Sequence, residues 1–130
     1  MFCSTPGVAL TRNINSKLAA KMLFTGNSIK AEEALMHGLV SEIIELEKLE
    51  ERVHELALQI SANSRFIVAL GKKCLYEQIN KSDINQAYDI ACETMLDNLK
   101  YSDTQSGLDA FANKKKPIWS HQNTKIELIK

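Results

Sequence analysis

Two glycines punctuate the run Leu23-Phe24-Thr25-Gly26-Asn27-Ser28-Ile29-Lys30-Ala31-Glu32-Glu33-Ala34-Leu35-Met36-His37-Gly38-Leu39-Val40. With no Cβ to clash, each can take the left-handed conformation that ends a helix. One helix therefore stops at Gly26, and a second, short one lies between the glycines with Leu39 placed to fold back on it. Glu32 and Glu33 fall in its first turn, where negative charge suits the helix dipole.

The flanking sequence is helical in pattern. Upstream, Ser16 is the expected cap of a helix over residues 17–24 that turns Leu18, Ala19 and Met22 inward. Downstream, residues 39–45 are rich in branched side chains and read as a short strand or extended link. Leu46, Leu49, Val53, Leu56 and Ile60 then recur at helical spacing, with Glu47, Lys48, Glu51, Arg52 and Glu55 opposite them. Ser64 is the expected cap of a second helix with Phe66 or Ile67, Leu70, Cys74 and Leu75 on its buried stripe. Gly71 weakens that helix and would permit close approach of another backbone. A third helix starts at Ser82 or Asp83, with Ile84, Ala87, Ala91, Met95 and Leu99 inward. Tyr88 and Met95 read as core rather than ligand contacts.

The last helix opens with the capping-box pattern Ser102-Asp103-Thr104-Gln105 and continues through Gly107, Ala110, Phe111, Lys114, Lys115 and Lys116 to a stop at Pro117. By itself the lysine run is a solvated helix end that the dipole favours. The polar tail after Trp119 is expected to fray.

The 23–40 run and the Phe-x-x-Lys-basic-basic ending at residues 111–116, followed by the aromatic Trp119, resemble hallmark segments of the crotonase (enoyl-CoA hydratase/isomerase) superfamily, and the resemblance extends over most of the chain. It implies a mainly α fold: the helical C-terminal portion of a ClpP/crotonase-like domain, lacking most of the β-sheet core. In that family the final helix reaches the acyl-CoA site, often across a subunit interface, with its aromatic near the adenine and a lysine near the phosphates. The matching positions are Phe111 and Lys114, with Lys115 a looser match. Acyl-CoA is thus the implied ligand, as a substrate and not a resident cofactor. The implied assembly is a trimer-type homo-oligomer, and the implied location is mitochondrial. Leu23 and Thr25-Gly26 fall where the family lines part of its acyl pocket, although packing remains the expected role of Leu23.

Two departures stand out. Lys30 occupies a position where the family usually has Ser or Thr, so the capping oxygen is lost, with Ser28 an imperfect substitute. Val8-Ala9-Leu10 are bulky where the family commonly has more glycine after the Pro6-Gly7 loop. By the same resemblance, the oxyanion hole and the two catalytic Glu residues precede Met1. No acidic residue occurs before Glu32 to replace them, so no catalytic residue is expected in the chain itself.

Composition narrows the alternatives. At 130 residues the chain could bury about two-thirds of its unfolded surface. Its 16 basic residues match its 16 acidic ones, which argues against a nucleic-acid footprint. No apolar run reaches membrane-spanning length. Cys3, Cys74 and Cys92 form neither a disulfide framework nor a zinc pattern and read as packing thiols. His37, His54 and His121 are not spaced as a metal site, and Ser4 and Thr5 lack the frame of a nucleophile elbow. The acid-free, basic first thirty residues look like a mitochondrial presequence by composition, but the resemblance makes them internal core.

The expected organisation is the end of the crotonase core with a first helix over 1–26, a helical region over 27–119 and a polar tail over 120–130. The expected function is an acyl-CoA-binding and assembly segment of an enoyl-CoA hydratase-like protein of fatty-acid metabolism, inactive alone. The alternative is a free-standing helical module that assembles with full-length relatives or other partners.

Overall fold

The computed structural model describes residues 4–126, and Cys3 lies outside them. Among the described residues there are seven α-helices and one 3-10 turn, with no strand. The chain divides between Arg52 and Val53 into two compact units.

The first unit opens with α1 (Ser4–Asn13), so the Pro6-Gly7 motif is helical and not the expected loop. Proline in a first helical turn gives up an N–H that has no intrahelical partner in any case. Thr11 Oγ1 donates to Gly7 O at 2.8 Å and Asn13 Nδ2 to Ala9 O at 2.8 Å, tightening the end of the helix. Helix α2 (Ser16–Thr25) is capped by Asn15, not Ser16: the Asn15 side chain accepts from Leu18 N at 3.0 Å. Leu18 and Ala19 are buried with Ile14, and Leu10, Met22 and Ile29 pack around them, as the inward face of α2 required.

Gly26 ends α2 at φ 68°, its N–H donating to Met22 O. Helix α3 (Ala31–Met36) begins at Lys30 with no side-chain cap, the deficit expected of lysine there. At its other end Gly38 has φ 75°. Gly38 N donates to Leu35 O at 3.1 Å and Leu39 N to Ala34 O at 2.9 Å, the paired bonds of a Schellman stop. Residues 39–45 form the extended link rather than a strand.

A 3-10 turn (Leu46–Lys48) leads into α4 (Leu49–Ser61), which carries the chain into the second unit. There α5 (Arg65–Gln78) and α6 (Ile84–Asn98) pack antiparallel, with Ile67, Leu70 and Cys74 facing Ala91, Thr94 and Met95 across a shallow cleft of about 240 Å³. Ser64 caps α5 as expected, accepting from Ile67 N at 3.4 Å, and Asp83 caps α6, accepting from Asn85 N at 2.9 Å.

Several inward assignments fail. Tyr88 is 65% and Met95 56% exposed, Ile84 and Leu75 are exposed too, and so is Cys92, whereas Cys74 is half-buried. A Cβ built on Gly71 would meet open space, so no backbone approaches it. The amphipathic pattern located these helices correctly, but its apolar stripe has little to cover it.

Candidate ligand site at the C-terminal helix

Helix α7 (Ser102–Ala112) departs from the capping box at its first residue. Tyr101 is the N-cap and gives no side-chain capping bond, its hydroxyl donating instead to Asp97 at 3.0 Å. Gln105 Nε2 donates to Leu99 O at 2.9 Å, and Ser102 Oγ is buried without a partner. Asp103 takes over instead.

The Asp103 carboxylate is 1% exposed. It accepts from Ser64 Oγ at 2.5 Å, Ser120 N at 2.7 Å, Ser120 Oγ at 2.7 Å and His121 N at 3.0 Å. Burial pushes its carboxyl up, but the hydrogen bonds from Ser64, Ser120 and His121 outweigh that and hold it down at about 2. The residues after Trp119 are therefore anchored rather than frayed, at least to Ile126. Ser102 N donates to Thr124 O at 2.9 Å and Ile126 N to Lys100 O at 2.7 Å, around a bridge between Tyr101 and Lys125. Lys125 also reaches Asp97 at 3.1 Å. Sequence patterns missed this cluster because its partners are distant in the chain and individually unremarkable.

At the other end, α7 stops before the lysine run. Lys114 N donates to Phe111 O at 3.1 Å and Lys115 N to Ala110 O at 2.8 Å, a second Schellman stop with Lys114 at φ 52° in the place glycine usually fills. Lys114, Lys115 and Lys116 thus lie beyond the helix, contrary to the expectation that they extend it. Phe111 and Lys114 do not share a helical face by i, i+3 spacing. They are adjacent through the turn itself.

The segment then doubles back along α7. Trp119 Nε1 donates to Ala62 O at 2.8 Å, and its ring lies over Gly107, where an added Cβ would fall 3.1 Å from Cη2. Between helix and segment is an open cleft of about 290 Å³ lined by Ser106, Asp109, Ala110, Asn113 and residues 115–118. Phe111, in the last turn of α7, does not line this cleft and is 85% exposed. An exposed ring, three consecutive ammonium-bearing residues and a shallow recess can together hold a phosphorylated aromatic ligand by stacking and charge. Leu23, the acyl-pocket candidate, is half-buried, and its Cδ1 would be 3.4 Å from a Cβ on Gly7, which fits its packing role.

Residues 4–122 match the enoyl-CoA hydratase/isomerase family model. The mouse mitochondrial enoyl-CoA hydratase domain-containing protein 3 is 50% identical over 93% of this chain, which corresponds to 40% of that relative. The crystal structure of the human protein of that name superposes with a TM-score of 0.86 at 45% identity, covering 92% of this chain and 47% of the other. An enoyl-CoA hydratase from Mycobacterium smegmatis superposes at 0.88 with 39% identity, covering 92% and 46%. The chain therefore spans less than half the length of the relatives it matches, and what it matches is the helical C-terminal portion of a crotonase fold.

Proposed function

Because this chain belongs to the enoyl-CoA hydratase/isomerase family, we propose that the end of α7 binds the nucleotide portion of an acyl-CoA. Phe111 would stack on the adenine, and Lys114, with Lys115, would pair with the phosphates. The observation that carries this reading is the turn at Lys114, which puts an exposed aromatic ring and the basic run at one helix end. At 85% exposure the Phe111 ring has a face open for stacking.

The chain by itself is proposed to be inactive in hydration, within a parent that acts in mitochondrial fatty-acid metabolism as a homo-oligomer. The site's carboxylates support this. Asp103 has its oxygens occupied by Ser64, Ser120 and His121, and Asp109 stands alone in the cleft. Enoyl-CoA hydration needs groups to deliver a water and a proton, each contributing on the order of a hundredfold to ten-thousandfold. Calorimetric titration of coenzyme A into the chain should show binding that weakens with salt and falls in Phe111→Ala and Lys115→Ala. A hydration assay with a short-chain enoyl-CoA should match its blank. Turnover that follows the purified chain would defeat the inactivity, and salt-independent or absent binding would defeat the site.

The second reading, a helical assembly module, is favoured by the exposed apolar residues Val53 and Ile60 on α4 and Ile84, Tyr88 and Met95 on α6.

A further inference from the structure

The segment after α7 touches one stripe of that helix at three successive points. Ser120 and His121 meet the Asp103 carboxylate, the Trp119 ring lies on Gly107, and Lys115 N–H meets Ala110 O. Positions 103, 107 and 110 follow the i, i+4, i+7 spacing of a single helical face. An open cleft occupies the neighbouring stripe, Ser106, Asp109, Ala110 and Asn113, and the segment supplies its other wall through Lys115, Lys116, Pro117 and Ile118. That wall has no internal secondary structure to hold it. Its position depends on the Schellman turn at Lys114, on Trp119 seated over Gly107 and bonded to Ala62 O, and on the far end, where Asp103 clamps Ser120 and His121 and the Arg65 N–H donates to His121 Nδ1.

We infer that Asp103 is a positioning residue for this anion site, acting through Ser120 and His121 on Lys115 and Lys116. The inference rests on the reading that Lys115, which lines this cleft, pairs with the phosphates of coenzyme A. A carboxylate suits the role because every group facing it is a donor: the Ser64 and Ser120 hydroxyls and the Ser120 and His121 N–H groups. An asparagine keeps the shape but turns an NH₂ against donors. The clamp also holds His121 at φ 59°, a left-handed conformation that a non-glycine residue leaves when its restraints are removed. Gly107 has the complementary part, since a side chain there would lift the Trp119 ring off the helix.

The test uses the full chain and four variants: Asp103→Asn, Ser120→Ala, Lys115→Ala and the Asp103→Asn/Lys115→Ala double. Coenzyme A titration gives affinity. Far-UV circular dichroism confirms the helices, and emission of Trp119, the chain's single tryptophan, reports the segment directly. Asp103→Asn is expected to weaken coenzyme A binding about tenfold and to red-shift Trp119, with helicity unchanged. Losses in the double variant should be clearly less than additive, because Lys115 is already misplaced. Should Asp103→Asn fail to fold, Ser120→Ala, which removes the hydroxyl bond to Asp103 and the one accepted from the Gln122 N–H, should give a loss of about threefold in the same direction. Full affinity in the variants, or strictly additive losses, overturns the positioning role while leaving the ligand reading intact. Absence of binding by the unmodified chain overturns both.

Discussion

The Asp103 carboxylate and the Ser64 hydroxyl, 39 positions apart in sequence, meet at 2.5 Å. The same hydroxyl accepts the Ile67 N–H that opens α5. One oxygen thus joins the cap of α5 to the first turn of α7, and the other oxygen of Asp103 holds Ser120.

This arrangement makes stability depend on acid. The folded Asp103 carboxyl lies at about 2, below its unfolded value of about 3.9. A lowered carboxyl contributes stability that is complete above the unfolded value and is lost as pH falls through the folded one. Urea melts of the unmodified chain should therefore lose on the order of 2 kcal/mol between about pH 4 and pH 2 that Asp103→Asn does not lose. Glu42 and Asp97 are also held low, by Arg52 and by Lys125 respectively, but both remain in the variant, so the difference isolates Asp103. Parallel pH profiles for the two proteins would show that the buried carboxylate contributes nothing of the kind.

Two helix glycines should respond in opposite directions to the same substitution. Alanine in place of an interior glycine stabilises a helix by about 1 kcal/mol where there is room. Gly71 in α5 has open space around its missing Cβ, so Gly71→Ala should raise the melting temperature. Gly107 in α7 would place a Cβ 3.1 Å from Trp119 Cη2 and 3.3 Å from Cζ3. There the ring, held by its bond to Ala62 O, has to move, and Gly107→Ala should lower the melting temperature and red-shift Trp119. Stabilisation by both substitutions would mean the Trp119 ring is not seated on α7.

What the sequence disclosed follows the range of the interactions. The stops at Gly26 and Gly38, the cap at Ser64 and the poorly capped start of α3 were legible because each is decided within one helical turn. Asn15 displaced Ser16 as a cap because both residue types qualify and the choice depends on how α1 delivers the chain. The capping box at Ser102 gave way because Asp103 had partners at Ser64, Ser120 and His121, which no local window contains. That a helix ends near Phe111 and the lysine run was legible. The turn at Lys114 was not, since a lysine in the left-handed region has no pattern of its own. Inward faces were overestimated for the same reason in reverse: periodicity identifies the apolar side of α4 and α6 but not whether anything covers it.

That uncovered surface has a consequence for behaviour in solution. Val53 and Ile60 on α4 and Ile84, Tyr88 and Met95 on α6 each have more than half their surface exposed, so the chain should self-associate through apolar contact. Sedimentation velocity over a concentration series should show an average mass that rises with loading. Val53→Lys with Ile60→Lys should reduce that rise without loss of helicity. A monomer at every concentration, melting cooperatively, would count against apolar self-association and argue for the free-standing module instead.

Lys114 offers a separation of stability from binding. It holds φ 52° at the position of a Schellman stop where glycine is usual, and a side chain there costs about 1 kcal/mol relative to an unstrained residue. Lys114→Gly should accordingly stabilise the chain by roughly 0.5–1 kcal/mol in urea melts, the gain being trimmed by the extra freedom of glycine in the unfolded state. If the ammonium faces the phosphates of coenzyme A, the same variant should bind less tightly, and the salt dependence of binding should flatten, because one screened charge pair is gone. Lys116→Ala should change binding less, as its match to the family motif is looser and it directly precedes Pro117. A more stable variant with weaker, less salt-sensitive binding identifies a residue kept in a strained conformation for its ligand. A more stable variant with unchanged affinity would make Lys114 no more than the end of α7.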